Sequence, residues 1–154
     1  MVEARDLTEY KVGLIEENIM RTGLHNIKAV QMDATVLDEA SIEKADVLVC
    51  DLPCSGLGVM GRKTDIRYKM TEEKAHELAQ LQQKILETVC AYVKPGGTMV
   101  YSTCTIHREE NEEHVETFLQ KHTDFSLVSE KQMYPGEVGS DGFFLAKMVR
   151  SMHG

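Results

Sequence analysis

Two cysteines stand where a thiol could do covalent chemistry. Cys54 lies in Asp51-Leu52-Pro53-Cys54-Ser55-Gly56-Leu57-Gly58, just after a short apolar run, and Cys104 lies in Tyr101-Ser102-Thr103-Cys104-Thr105, just after another. A thiolate is the attacking form of cysteine, so a site that uses one must lower a pKa that starts near ~8.5. Pro53 stiffens the backbone beside Cys54, while Gly56 and Gly58 permit a sharp turn or a close approach. Most free cysteines are small buried hydrophobes, and Cys50 and Cys90 read that way. Cys54, between Pro and Ser past a strand, is a less ordinary core position. Asp6, Asp33 and Asp51 also end apolar runs. One such Asp is most often a loop starter or a cap. Three of them, with a cysteine at a fourth strand end, suggest carboxylates and a thiol gathered at one rim of a sheet.

The elements that must position these residues alternate between apolar runs and helical periods, the pattern of an α/β protein with a mainly parallel sheet. Short strands are expected at Val2–Arg5 and Ile27–Met32. Between them, Thr8 suits an N-cap, Val12, Ile15 and Ile19 mark a helix face, and Gly23 closes the helix. Ala45–Cys50 is short and apolar enough for a strand buried on both faces. A Gly-rich, partly basic loop follows from Ser55 to Met70. Thr71 then caps a long helix whose apolar positions Ala75, Leu78, Ala79, Ile85, Leu86, Val89, Cys90 and Val93 recur at threes and fours. Pro95-Gly96-Gly97 is expected to stop it. Thr98–Ser102 is the next strand, and a helix is expected around Asn111–His122. Phe125–Val128 and Gly142–Val149 follow without a helix between them, which predicts an antiparallel pair at the sheet edge.

Composition bounds the function. The chain has 154 residues, enough for one domain with a core, and a formal net charge of −8. Nucleic-acid enzymes gain much affinity by neutralising phosphates with Lys and Arg, so charge alone argues against such a partner. No apolar run approaches the roughly 18 residues of a membrane span, and the start carries no signal-peptide pattern, which makes the cytoplasm the expected location. The four cysteines show neither CxxC spacing nor disulfide density, so reduced thiols are expected. Cys50, Cys54 and Cys104 also lack zinc-ligand spacing, and no metal is expected. His107 and His114, near the strand end that carries Cys104, are read as surface residues.

The paired Pro-Cys and Thr-Cys segments resemble the Nop/Sun family of RNA cytosine-carbon-5 methyltransferases, and within it the bacterial Sun-type branch that acts on small-subunit ribosomal RNA. The family's Asp-Ala-Pro-Cys-Ser-Gly appears here as Asp51–Gly56, and its Ser-Thr-Cys-Thr as Ser102–Thr105. Glu110-Asn111-Glu112, Asp65-Ile66-Arg67-Tyr68 and Asp141-Gly142-Phe143-Phe144 also look like the family, so the likeness runs over essentially the whole chain.

The resemblance implies a Rossmann-like class I fold that uses S-adenosylmethionine. It assigns Cys104 as the nucleophile at carbon 6 of cytosine, Cys54 to the release of that adduct, and Asp51 to the cytosine edge or to its protonated ring nitrogen. It assigns Asp6 to the cofactor's ribose hydroxyls and Asp33 to its adenine amino group, and counts Asp51 among the cofactor-binding residues as well. Arg62, Lys63 and Arg67, with Tyr68 among them, could meet phosphate and stack a base of the RNA, although such a loop is as readily a solvated one. The family's first strand and Gly-rich cofactor loop should precede Val2. Residues 1–154 are therefore expected to form a single catalytic domain incomplete at its N-terminus, with an exposed sheet edge and weak activity alone. A tRNA-directed member of the family and a non-catalytic RNA-binding or assembly module are the alternatives.

Overall fold

A computed structural model describes residues 1–59 and 71–152. The chain divides into two compact units, Met1–Leu37 and Asp38–Gly154.

In the first unit, strand β1 (Val2–Asp6) runs parallel to β2 (Ile27–Gln31), from Val2 opposite Ile27 to Asp6 opposite Gln31. Helix α1 (Glu9–Thr22) connects them. It starts where expected: the Thr8 hydroxyl accepts from the Lys11 N–H at 3.3 Å, and Glu9 sits at the positive end of the helix dipole. It ends at Gly23, whose φ of 66° is left-handed and whose N–H closes on the Met20 carbonyl.

The second unit is a four-stranded sheet in the order β3-β4-β6-β5, formed by β3 (Ala45–Asp51), β4 (Val93–Thr103), β5 (Phe125–Met133) and β6 (Phe143–Arg150). β3 and β4 are parallel, and β6 runs antiparallel to both β4 and β5. The antiparallel pair expected late in the chain is therefore present. Helices α2 (Glu72–Val89) and α3 (Glu112–Lys121) complete the unit. Thr71 caps α2 through its hydroxyl, and α2 buries Ala75, Gln82, Ile85, Leu86 and Val89. With them Met99, Tyr101, Val115, Phe118, Phe144, Ala146 and Met148 form the core, and each fully buried aliphatic side chain contributes roughly 1.5–3 kcal/mol.

Three expectations need correction. β3 is not buried on both faces. It lies at the end of the strand order, and Val47 and Val49 are 61% and 65% exposed; of its residues only Cys50 is buried. The long helix does not run on to Pro95. It ends at Val89, Cys90–Tyr92 forms a 3-10 turn, and β4 already begins at Val93. Pro95-Gly96-Gly97 instead sits in the irregular start of β4, where the register with β3 shifts and Gly96 has a φ of 78°. His114 is not a surface residue: it is 5% exposed and stacks on Tyr101, ring centroids 5.3 Å apart.

Candidate active site

The parallel pair β3 and β4 ends in step, with Asp51 opposite Ser102. The segments leaving these two strands thus emerge side by side at the carboxyl edge, where open α/β sheets bind ligands. Asp51 ends β3, and its Oδ1 accepts from the Ser102 hydroxyl at 3.2 Å. Cys54 is three residues further on, and Cys104 is the first residue past β4. Their sulfurs are 3.2 Å apart, and the Cys104 N–H donates to the Cys54 sulfur at 3.3 Å. Both are partly buried, and both are free thiols.

Burial pushes the Cys54 thiol up to about 12, and the hydrogen bond and charge of Cys104 add to the effect. Cys54 is therefore a protonated thiol through the neutral range. Cys50, also pushed to about 12, and Cys90, pushed to about 11, owe their shifts first to burial in the core. The expectation that these two are core residues holds, at 4% and 5% exposure.

The two cysteine loops are locked to each other. The hydroxyls of Ser55 and Thr105 are 2.8 Å apart, and the Gly58 N–H donates to the Cys104 carbonyl at 3.1 Å. The Gly142 N–H in turn donates to the Gly58 carbonyl at 2.8 Å. Beneath them lies a buried polar layer from α2, β4 and the segment before α3. Glu110 Oε2 accepts from the Ser55 N–H, and Tyr101 donates its hydroxyl to the Glu110 carbonyl at 2.6 Å.

Two thiols in contact, one kept protonated, beside a carboxylate at a sheet edge, form a site suited to covalent addition and release. The same chain, over residues 1–149, matches the family model described as 16S rRNA methyltransferase RsmB/F. It belongs to that family. A Bacillus subtilis relative named as a probable ribosomal RNA small subunit methyltransferase B is 40% identical, over 96% of this chain and 37% of its own length. Two solved structures are also similar. The crystal structure of PH0851 has a TM-score of 0.91 at 31% identity, covering 95% of this chain and 36% of that one. NSun6 from Pyrococcus horikoshii, solved with SFG, has a TM-score of 0.80 at 28% identity, covering 99% and 41%. The α/β methyltransferase fold expected from the sequence is thus the fold of its relatives. The chain spans 37% of the length of the Bacillus relative it matches.

Within this RsmB/F-family chain, Asp51, Cys54 and Cys104 come together in the second unit. Asp6 and Asp33 belong to the first unit, each at the end of its strand as expected. Asp6 ends β1, its Oδ1 accepting from the Leu7 N–H at 2.7 Å and facing Lys11 Nζ at 3.7 Å. Asp33 follows β2 by two residues, and its Oδ1 accepts from the N–H and hydroxyl of Thr35, at 2.8 and 2.7 Å. Arg62, Lys63, Arg67 and Tyr68 lie outside the described residues. Among the described residues no group of three or more His, Cys, Asp or Glu could hold a metal ion, and no helix is long and apolar enough to cross a membrane.

Sequence reasoning missed Gln82, Tyr101, Glu110 and Asn111 as parts of the site. One signal could have found Gln82. It falls on the apolar stripe of α2, four residues after Leu78 and four before Leu86, where a polar side chain must meet a buried partner. Glu110 and Asn111 stood out only as family likeness.

Proposed function

We propose that this chain carries the reacting residues of an RNA cytosine-carbon-5 methyltransferase acting on small-subunit ribosomal RNA, with Cys104 as the nucleophile. The observation that carries the reading is the contact between two thiols, 3.2 Å apart at adjacent strand ends beside Asp51. Carbon 5 of cytosine is a poor nucleophile until a thiolate adds at carbon 6 and makes the ring enamine-like. Cys104 makes that addition, splitting one difficult step into two easier ones. S-adenosylmethionine supplies the methyl group that carbon 5 accepts. Solvent water takes the carbon-5 proton, and the electron pair left behind expels the Cys104 thiolate and restores aromaticity. Cys54, held protonated by burial, stands in contact with that sulfur and can offer its S–H to it as it leaves. Asp51 hydrogen-bonds the cytosine edge.

Asp6 and Asp33 fit the cofactor roles that the resemblance gives them. The described side-chain contacts of Asp6 both fall on Oδ1, which leaves Oδ2 to accept from ribose hydroxyls. The turn with Thr35 fixes the Asp33 carboxylate for the adenine amino group. The base must be single-stranded or flipped, because neither carbon is reachable in a stacked duplex. Arg62, Lys63, Arg67 and Tyr68 would grip the RNA.

The test is a covalent trap. RNA containing 5-fluorocytosine cannot lose its carbon-5 substituent, so the thiol that adds stays attached. The chain is assayed alone and in place of the matched segment of the Bacillus subtilis relative, with S-adenosylmethionine and either small-subunit ribosomal RNA or tRNA. Mass spectrometry should find ribosomal RNA on the Cys104 peptide. An adduct that survives Cys104→Ala but not Cys54→Ala overturns the assigned roles. An adduct formed only on tRNA overturns the substrate, and the absence of any adduct favours a non-catalytic module.

A further inference from the structure

Glu110 and Asn111 are adjacent, both are 0% exposed, and neither has a part in the chemistry just proposed. Their side chains divide the two cysteine loops between them. Glu110 Oε2 accepts from the Ser55 N–H at 2.9 Å and from Gln82 Nε2 at 2.8 Å. That same Gln82 nitrogen donates to the Pro53 carbonyl at 2.8 Å. The residues on either side of Cys54 are thus both held, one by Glu110 and one by its partner Gln82. Asn111 treats Cys104 alike. Its Oδ1 accepts from the Thr103 hydroxyl at 2.5 Å, and its Nδ2 donates to the Thr105 carbonyl at 3.0 Å. The pair is itself anchored, through the Tyr101 hydroxyl on the Glu110 carbonyl and through Gln132, which accepts from Asn111 Nδ2 at 2.7 Å.

These groups are costly to bury. Glu110 Oε1 is buried without a hydrogen-bond partner and faces His107 Nδ1, itself buried and unpartnered, at 3.8 Å. Apolar side chains would fill such space with less desolvation. What they could not do is hold four backbone and hydroxyl groups flanking two cysteines that are fifty residues apart.

We propose that Glu110 and Asn111 are positioning residues, a two-residue clamp that sets the spacing of the Cys54 and Cys104 sulfurs. The proposal rests on reading those thiols as the reacting pair, but it can be tested without methyl transfer. Phenylarsine oxide reads the spacing directly. Two thiols form two As–S bonds to one arsenic, and their protons leave with its oxygen as water, so only neighbouring sulfurs chelate it.

The wild-type chain should bind the arsenical through the pair, with Cys54→Ser as the background. Glu110→Ala and Asn111→Ala should each weaken binding by about tenfold or more at an unchanged far-UV spectrum, the scale expected when buried hydrogen bonds are lost. Glu110→Gln should stay within about threefold of wild type, since its amide oxygen still serves Ser55 and Gln82 while its nitrogen can meet His107. In the methyl-transfer assay the alanine variants should lose kcat with little change in the KM for RNA.

Alanine variants that fold and bind arsenical like wild type overturn the clamp. So does a Glu110→Gln variant as damaged as Glu110→Ala, which would make the charge and not the bonding matter. A wild-type affinity no better than that of Cys54→Ser overturns it as well, because the sulfurs are then not held together. If an alanine variant fails to fold, Asn111→Asp and Glu110→Gln decide. The first turns the donor toward Thr105 into an acceptor and must weaken binding; the second must not. Failure of the covalent trap with the arsenical results intact would discard the proposed reaction and leave the clamp standing.

Discussion

Cys104 donates its backbone N–H to the sulfur of Cys54 at 3.3 Å, and the two sulfurs lie 3.2 Å apart across the ends of β3 and β4. Cys54 is pushed up to about 12, first by burial and then by its neighbour, so it is a protonated, slow thiol at neutral pH.

Iodoacetamide should therefore alkylate Cys54 slowly. At about pH 8, labelling of Cys54 is expected to lag that of free cysteine by at least about tenfold, since alkylation follows the thiolate fraction. Cys50 and Cys90 should stay unlabelled in the folded chain, being 4% and 5% exposed. Peptide mass spectrometry over a time course reads all four sites. A Cys54 rate equal to that of free cysteine would contradict the assignment of the slow thiol.

His114 should shape the acid limb of stability. Burial against Tyr101 lowers its pKa from 6.5 to about 4. The unfolded chain then takes up a proton below pH 6.5 that the folded chain refuses until about pH 4. Stability from this group is present above 6.5 and is lost as pH falls through that window, by roughly 3 kcal/mol at most. His114→Phe, which can keep the stacking, removes the titration. Urea unfolding at both ends of the window should show a shallower loss for the variant. An unchanged loss would mean that carboxylates carry the acid limb.

The sequence made the strand ends legible because short apolar runs closed by Asp or by Cys104 have few other uses in an α/β chain. Thr8, Gly23 and Thr71 were legible for a related reason, since cap chemistry is local. The misreadings share the opposite cause. Pro95-Gly96-Gly97 stops helices and also makes irregular strand starts, and only the pairing of β4 with β3 chooses between them. Val47 and Val49 look like core by composition, but burial depends on which strands lie beside β3. Glu110 stood out only as family likeness because its partners, Ser55 and Gln82, lie 55 and 28 residues away.

Gln82 tests whether the buried layer is held by bonding and not only by packing. Gln82→Leu keeps most of the volume but deprives the Pro53 carbonyl and Glu110 Oε2 of their common donor. A cost of about 1–3 kcal/mol is expected for the groups left short of partners. Its neighbour gives the control. Gln83 donates to Glu87 on the exposed side of α2, and Gln83→Leu should stay within about 0.5 kcal/mol of wild type. Denaturant midpoints for the two variants settle the comparison, and equal effects would argue that Gln82 merely fills space.

Two glycines should respond to alanine with opposite signs. A Cβ on Gly58 would lie 2.9 Å from the Cys104 carbonyl oxygen and 2.7 Å from the Gly142 carbonyl carbon. Both are backbone atoms, so no side chain can swing aside, and the segment carrying Cys104 must shift instead. Gly58→Ala is expected to cost about 1–3 kcal/mol and to slow adduct formation in the 5-fluorocytosine trap. Gly13 lies inside α1, and a Cβ there would meet nothing within 4 Å. Gly13→Ala should stabilise by about 0.5–1 kcal/mol, because it removes backbone freedom from the unfolded chain without a clash. Thermal melts of both variants, with the trap run in parallel, test the pair. A Gly58→Ala variant that melts like wild type and traps RNA at the same rate would mean that the Pro-Cys segment has room to spare against Cys104.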